Sequence, residues 1–233
     1  MKRHCEHTLL LIALLASATA CSRKPAVDAA SLRKGLEAYL AQRGDVCIAK
    51  QNWPIDVADA DRAARTRDAV QLPVLERLGV VESHPIKIRT INEEDQPVVL
   101  SVTRYELTER GRQSYIDRRT RLPVAPRADG GHQADLCVVR VSLDKIVGWE
   151  AFPPSGPPAR AVVSYTYTVD AVPWMRDPEA LRVFPALARL IAGAGKAELK
   201  EGLALTASGW VANELLAPAS SPPTVASQEG GQL

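Results

Sequence analysis

Apolar positions recur along the chain with two periods, one helical and one of strict alternation. Leu32, Leu36, Tyr39 and Leu40 fall at helical spacing, with Asp28 placed to cap the helix and Gly44 to stop it. Residues 45–50 read as a short strand. Residues 58–79 read as helical, as two helices broken near Pro73. Ile86 and Ile88 alternate with Lys87 and Arg89, the pattern of a half-buried strand, and residues 97–107 supply its partner across the acidic turn Glu93-Glu94-Asp95. Val139, Val141 and Leu143 alternate with Arg140, Ser142 and Asp144. Val163, Tyr165, Tyr167 and Val169 alternate with Ser164, Thr166, Thr168 and Asp170. The prolines of Phe152-Pro153-Pro154-Ser155-Gly156-Pro157-Pro158 can continue neither strand nor helix, so these two strands form a hairpin around that loop. A helix starts at Asp177, with Pro178 in its first turn, and runs over residues 178–192 with a kink or break at Pro185. Hairpins alternating with helices give an α+β fold.

Three short blocks occur twice in the same order. Asp45-Val46-Cys47-Ile48-Ala49-Lys50 matches Asp135-Leu136-Cys137-Val138-Val139-Arg140. Leu72-Pro73-Val74-Leu75-Glu76-Arg77-Leu78 matches Phe184-Pro185-Ala186-Leu187-Ala188-Arg189-Leu190, and Arg67-Asp68 and Arg176-Asp177 precede the two copies. Tyr105-Glu106-Leu107-Thr108-Glu109-Arg110-Gly111 matches Leu203-Ala204-Leu205-Thr206-Ala207-Ser208-Gly209. The expectation is two related halves, each with short strands or a hairpin plus helices. Chance recurrence of an apolar helix stripe and a Leu-Thr-x-x-Gly turn is the alternative.

The first half also resembles a winged-helix domain over about residues 30–118. The resemblance rests on a helix ending in Leu78-Gly79-Val80-Val81, then a hairpin, then Tyr105-Glu106-Leu107-Thr108-Glu109-Arg110-Gly111. In that family the helix at about residues 67–78 would read DNA. That role is not carried over, because fold does not imply function and because the start of the chain points out of the cytosol.

That start carries Lys2 and Arg3, then the apolar run Leu9-Leu10-Leu11-Ile12-Ala13-Leu14-Leu15-Ala16, then small residues and Cys21. A positive end, a short apolar run and small residues make a secretory signal peptide. The run is too short to span a bilayer, which takes ~20 apolar residues. Ala18-Thr19-Ala20-Cys21 resembles the bacterial lipobox, with Ala in place of the commoner Leu at its first position. The resemblance implies that Cys21 becomes the mature N-terminus and carries acyl chains such as palmitate. Ser22 after the cysteine, by the family's sorting pattern, implies the outer membrane, facing the periplasm. Cleavage after Ala20 without lipidation is the alternative.

Cys5 would leave with that leader and Cys21 would be acylated, so Cys47 and Cys137 remain as a pair in an oxidising compartment. A disulfide between them would close a loop of about ninety residues and contribute roughly 4–5 kcal/mol by loop entropy. Two buried free thiols are the alternative. The expected organisation is a signal peptide at 1–20, a lipidated tether at 21–27, a winged-helix-like half at 28–120, a linker at 121–134, a second half at 135–216 and a disordered tail at 217–233, where Pro, Ser, Gly and Ala dominate.

The chain has 233 residues, of which 46% are hydrophobic, enough for a proper core. Its net charge is +2 and its basic residues are spread along the sequence, which argues against a dedicated nucleic-acid surface. Beyond the leader the histidines are His84, before Pro85 at an expected turn, and His132, after two glycines; both read as surface loop residues, and a zinc site lacks ligands. Asp56, Asp59 and Asp61 lack EF-hand spacing and read as helix caps. No metal or cofactor is expected. Gly193-Ala194-Gly195-Lys196 is too short for a phosphate loop. Trp53-Pro54 and Pro173-Trp174 offer partner contacts, or core packing beside a proline. The resulting expectation is a lipid-anchored envelope protein with a non-enzymatic binding or scaffolding role toward an envelope partner. The alternative is an envelope hydrolase acting on a glycan or peptide.

Overall fold

The computed structural model describes residues 27–92, 94–126, 134–152 and 159–216. Cys21, His132, the proline loop at 153–158 and the tail at 217–233 lie outside them. The fold is α+β.

Helix α1 (Ala29–Arg43) starts where expected. Asp28 accepts from the Ser31 N–H at 2.8 Å, and Gly44 ends the helix by donating to Leu40 O. Strand β1 (Asp45–Cys47) follows. Then come β2 (Ile55–Ala58), α2 (Asp59–Ala63), α3 (Arg67–Arg77) and the hairpin β3 (Val81–Ile91) and β4 (Pro97–Leu107). The antiparallel sheet order is β2-β4-β3. The helix break lies at residues 64–66, not near Pro73. Arg65 adopts φ +52°, Thr66 caps α3, and Pro73 sits inside α3. Burial of Leu72, Val74 and Leu75 carries the helix through a position that lacks an N–H. His84 also departs from expectation: it lies exposed in β3, not in a turn. Pro85 is tolerated beside it because β3 is an edge strand.

After α4 (Glu109–Arg112) and β5 (Tyr115–Asp117), the long strands β6 (Ala134–Phe152) and β7 (Arg160–Ala171) form the expected hairpin. A 3-10 turn (Pro173–Arg176) leads to α5 (Pro178–Val183) and α6 (Pro185–Gly193), separated at Phe184 just before Pro185. The Asp177 carboxylate caps α5 through the Glu179 N–H at 2.8 Å. Strands β8 (Glu198–Thr206) and β9 (Gly209–Ala212) and the short α7 (Asn213–Leu216) complete the fold. The large antiparallel sheet runs β1-β6-β7-β8-β9, with β5 pairing with the start of β6 and bridging through Ile116 to Pro123.

Two core clusters hold these parts. Leu32, Leu36 and Leu40 of α1 pack on Val141, Val163, Tyr165, Leu203 and Trp210 of the large sheet. A Cβ on Gly35 would stand 2.4 Å from Trp210 O, so only glycine allows α1 to lie this close to β9. The second cluster joins Leu72 and Leu75 of α3 and Tyr105 of β4 to Leu136 of β6, Met175 and Phe184. The parts before and after residue 121 therefore share one core.

The order strand-strand-helix-helix-strand-strand occurs twice, as β1, β2, α2, α3, β3, β4 and as β6, β7, α5, α6, β8, β9. The pairing differs. β2 pairs with β4, whereas β7 pairs with its neighbours β6 and β8. The third repeated block also takes two local forms. Thr108 caps a helical turn, whereas Thr206 closes the β8–β9 turn by donating to Gly209 O at 2.8 Å.

Candidate functional site

Three clusters of polar side chains stand out. The first surrounds the cystine. β1 runs antiparallel to β6 with Cys47 directly opposite Cys137, and the two sulfurs are bonded. The chain then turns through Ala49, at φ +59°, and buries Lys50 to 1% exposure. Its ammonium meets Asp68 at 2.7 Å and Gln71 Oε1 at 2.8 Å, and Gln71 donates onward to Val183 O at 3.2 Å. The Lys50 N–H donates to the Asp135 carboxylate at 2.8 Å, and the Leu136 N–H donates to the same oxygen at 2.7 Å. Burial raises the Asp135 pKa above the ordinary value, and those backbone donors work against the rise. Trp53 Nε1 donates to Lys50 O at 3.1 Å. This cluster ties α3, β6 and the end of α5 together. Its amine is closed off and held by two acceptors, which suits a structural role.

The second cluster lies where α1 meets β8 and α7. Tyr39 donates to Glu214 at 2.8 Å, and Arg43 approaches the same carboxylate at 3.6 Å. Glu201 is half-buried there; desolvation first, then the Glu214 charge, raises its pKa. Burial pushes the Tyr165 hydroxyl up to about 12, with Glu201 adding to the shift. Tyr39 is raised as well, by burial and by its bond to Glu214. A carboxyl whose folded pKa exceeds its unfolded one stabilises the fold at low pH. That contribution fades as pH rises from the ordinary carboxylate value through the raised one. Glu201→Gln should therefore flatten this fall. Urea unfolding of both proteins on either side of that window checks it, and parallel pH profiles would count against the assignment.

The third cluster is an open groove of about 570 Å³ between the two parts of the chain, lined by Arg77, Leu78, Arg110, Trp174, Arg176 and Asp177, among others. A second groove of about 460 Å³, reaching Asp45, Arg140 and Asp170, shares Pro173 and Arg176 with it. Asp45 is taken up by Arg121 at 2.7 Å and Arg140 at 2.9 Å.

The expected site residues are distributed differently. Trp53 and Trp174, read as partner contacts or as core packing beside a proline, are 3% and 4% exposed, which fits the packing alternative. Both belong to the second core cluster, although Trp174 also lines the open groove. The exposed indole is that of Trp149, at 41%, near Val147 and Phe152 on the β6–β7 hairpin. Asp61 caps α2 by accepting from the Ala58 N–H at 2.9 Å, and Asp59 pairs with Arg62. Asp56 is not a cap: it lies in β2 and makes a two-point ion pair with Arg104, 2.7 Å at each contact. Among the described residues no group of three His, Cys, Asp or Glu could hold a metal. Sequence reading missed Lys50, Asp135, Arg110 and the groove role of Arg176. The sequence marks them only through the repeat: Lys50 and Asp135 fall in its first block, Arg110 in its third, and Arg176 in the Arg-Asp pair before the second.

No protein-family model matches the chain, and neither a curated protein nor a solved structure matches it.

Proposed function

We propose that the protein is a lipoprotein of the bacterial cell envelope, anchored by acyl chains on Cys21 at the periplasmic face of the outer membrane, with a non-enzymatic binding role. The carrying observation is the succession of Lys2 and Arg3, the apolar run and Ala18-Thr19-Ala20-Cys21. The Cys47–Cys137 bridge supports it, because stable disulfides belong to oxidising compartments. Two or more acyl chains make such anchoring stable, at about 0.8 kcal/mol per buried CH₂. The binding role is supported by the groove where both parts of the chain contribute side chains.

Two finer fold readings accompany this proposal. The winged-helix resemblance is supported by the order β2, α2, α3, β3, β4 and the sheet order β2-β4-β3. In the helix that would read DNA in that family, α3, Asp68 pairs with the buried Lys50 and Arg77 pairs at the surface with Glu179 of the same chain. The duplication reading is supported by the recurring element order and by the two cysteine strands lying side by side.

The test is fractionation of cells expressing the wild type and Cys21→Ser. The wild type should sediment with membranes, and mass spectrometry should find an acylated N-terminal peptide beginning at Cys21. The variant should leave the membrane fraction. An unprocessed chain among cytosolic proteins, with Cys47 and Cys137 reduced, would overturn the proposal.

A further inference from the structure

We infer that the groove lined by Arg77, Arg110 and Arg176 is a binding site for a small oxyanion, a phosphate monoester or a polycarboxylate. This goes beyond the envelope role and does not depend on the lipid anchor. The site is assembled from both parts of the chain. Arg77 comes from the end of α3, Arg110 from α4 and Arg176 from the 3-10 turn.

Two of these guanidiniums are held in place. Arg77 bonds Glu179 through Nε at 2.9 Å and Nη2 at 2.8 Å, and Pro73 O through Nη1 at 3.2 Å. Arg110 donates through Nη1 to Leu78 O at 3.1 Å. Its turn is fixed by Thr108, which donates to Gly79 O at 2.7 Å and accepts from the Gly111 N–H at 3.2 Å. Arg176 is exposed, and among the described residues no hydrogen bond or ion pair holds it. The carboxylates nearby are already engaged. Asp177 accepts the Glu179 N–H, and Glu179 serves Arg77 and Arg182.

Three guanidiniums against the Asp177 and Glu179 carboxylates leave the groove one positive charge in excess. That excess of positive charge attracts anions. Free guanidinium N–H pairs present the planar fork that matches two oxygens of a phosphate or carboxylate. Leu78 and Pro173 give the same groove an apolar side against which the rest of an organic anion can pack.

Calorimetric titration of the full chain at low ionic strength, with inorganic phosphate and separately with citrate, tests the site. Saturable binding of at least one anion is expected, weakening as NaCl is added. Arg176→Ala should lower the affinity by roughly tenfold. Arg189→Ala, an exposed arginine of α6 outside the groove, should leave it unchanged. Tighter phosphate binding assigns the phosphate monoester class, and tighter citrate binding the polycarboxylate class. No saturable binding of either anion overturns the site. So does unchanged affinity in both Arg176→Ala and Arg110→Ala. The Cys21→Ser protein should bind as the wild type does, so failure of the envelope reading and failure of this one are separable.

Discussion

Replacing Cys47 and Cys137 together by alanine lowers the unfolding free energy by roughly 2–5 kcal/mol, with the unfolded chain as the main seat of the effect. The bridge spans 90 residues of sequence, and loop-entropy arithmetic for that length gives about 4–5 kcal/mol. The folded state changes little, because Cys47 and Cys137 are opposed on paired strands that keep their backbone bonds. Urea unfolding under oxidising and reducing conditions is the measurement. Wild type with reductant should fall to the level of the double variant, and the double variant should not respond to reductant. Equal midpoints for oxidised wild type and double variant would mean that the cross-link restricts nothing the fold has not already restricted.

The second large effect is expected at Asp135. Its carboxylate is 3% exposed and one oxygen accepts both the Lys50 and Leu136 N–H groups. Asp135→Ala removes that acceptor and leaves the Lys50 N–H in a buried segment without it, a loss of roughly 2–4 kcal/mol. Asp135→Asn keeps an oxygen at the same place and should retain most of the stability. It also removes a carboxyl whose raised pKa weakens folding as pH rises above the ordinary carboxylate range. Thermal unfolding of the two variants separates these effects. If alanine and asparagine destabilise equally, the backbone bonds are not what the side chain contributes.

Both predictions concern the segment at residues 45–54, where the sequence is least regular. It holds a three-residue strand, a left-handed Ala49, the buried Lys50 and a cis Trp53–Pro54 bond. Here β1, α3 and β6 are fastened to one another. The groove arginines depend on that fastening indirectly, since α3 carries Arg77 and packs against α5 just beyond Arg176.

Local chemistry was enough to read several elements from the sequence. Asp28 and Gly44 bracket α1, Asp177 and Pro178 start α5, and alternation marks β3–β4 and β6–β7. Caps, turns and side-chain period act between residues a few positions apart, so they are written in the order of the amino acids. The pairing of Cys47 with Cys137 was expected from elimination among four cysteines, without any knowledge of their distance. Tertiary structure alone decided the rest. It carried α3 through Pro73, laid α1 on the large sheet, buried Trp53 and Trp174 while exposing Trp149, and matched Lys50 with Asp68. Arg77, Arg110 and Arg176 came to share one groove in the same way. Each of these outcomes depends on which elements distant in sequence pack together, a choice made by total burial and charge pairing that no short window of sequence contains.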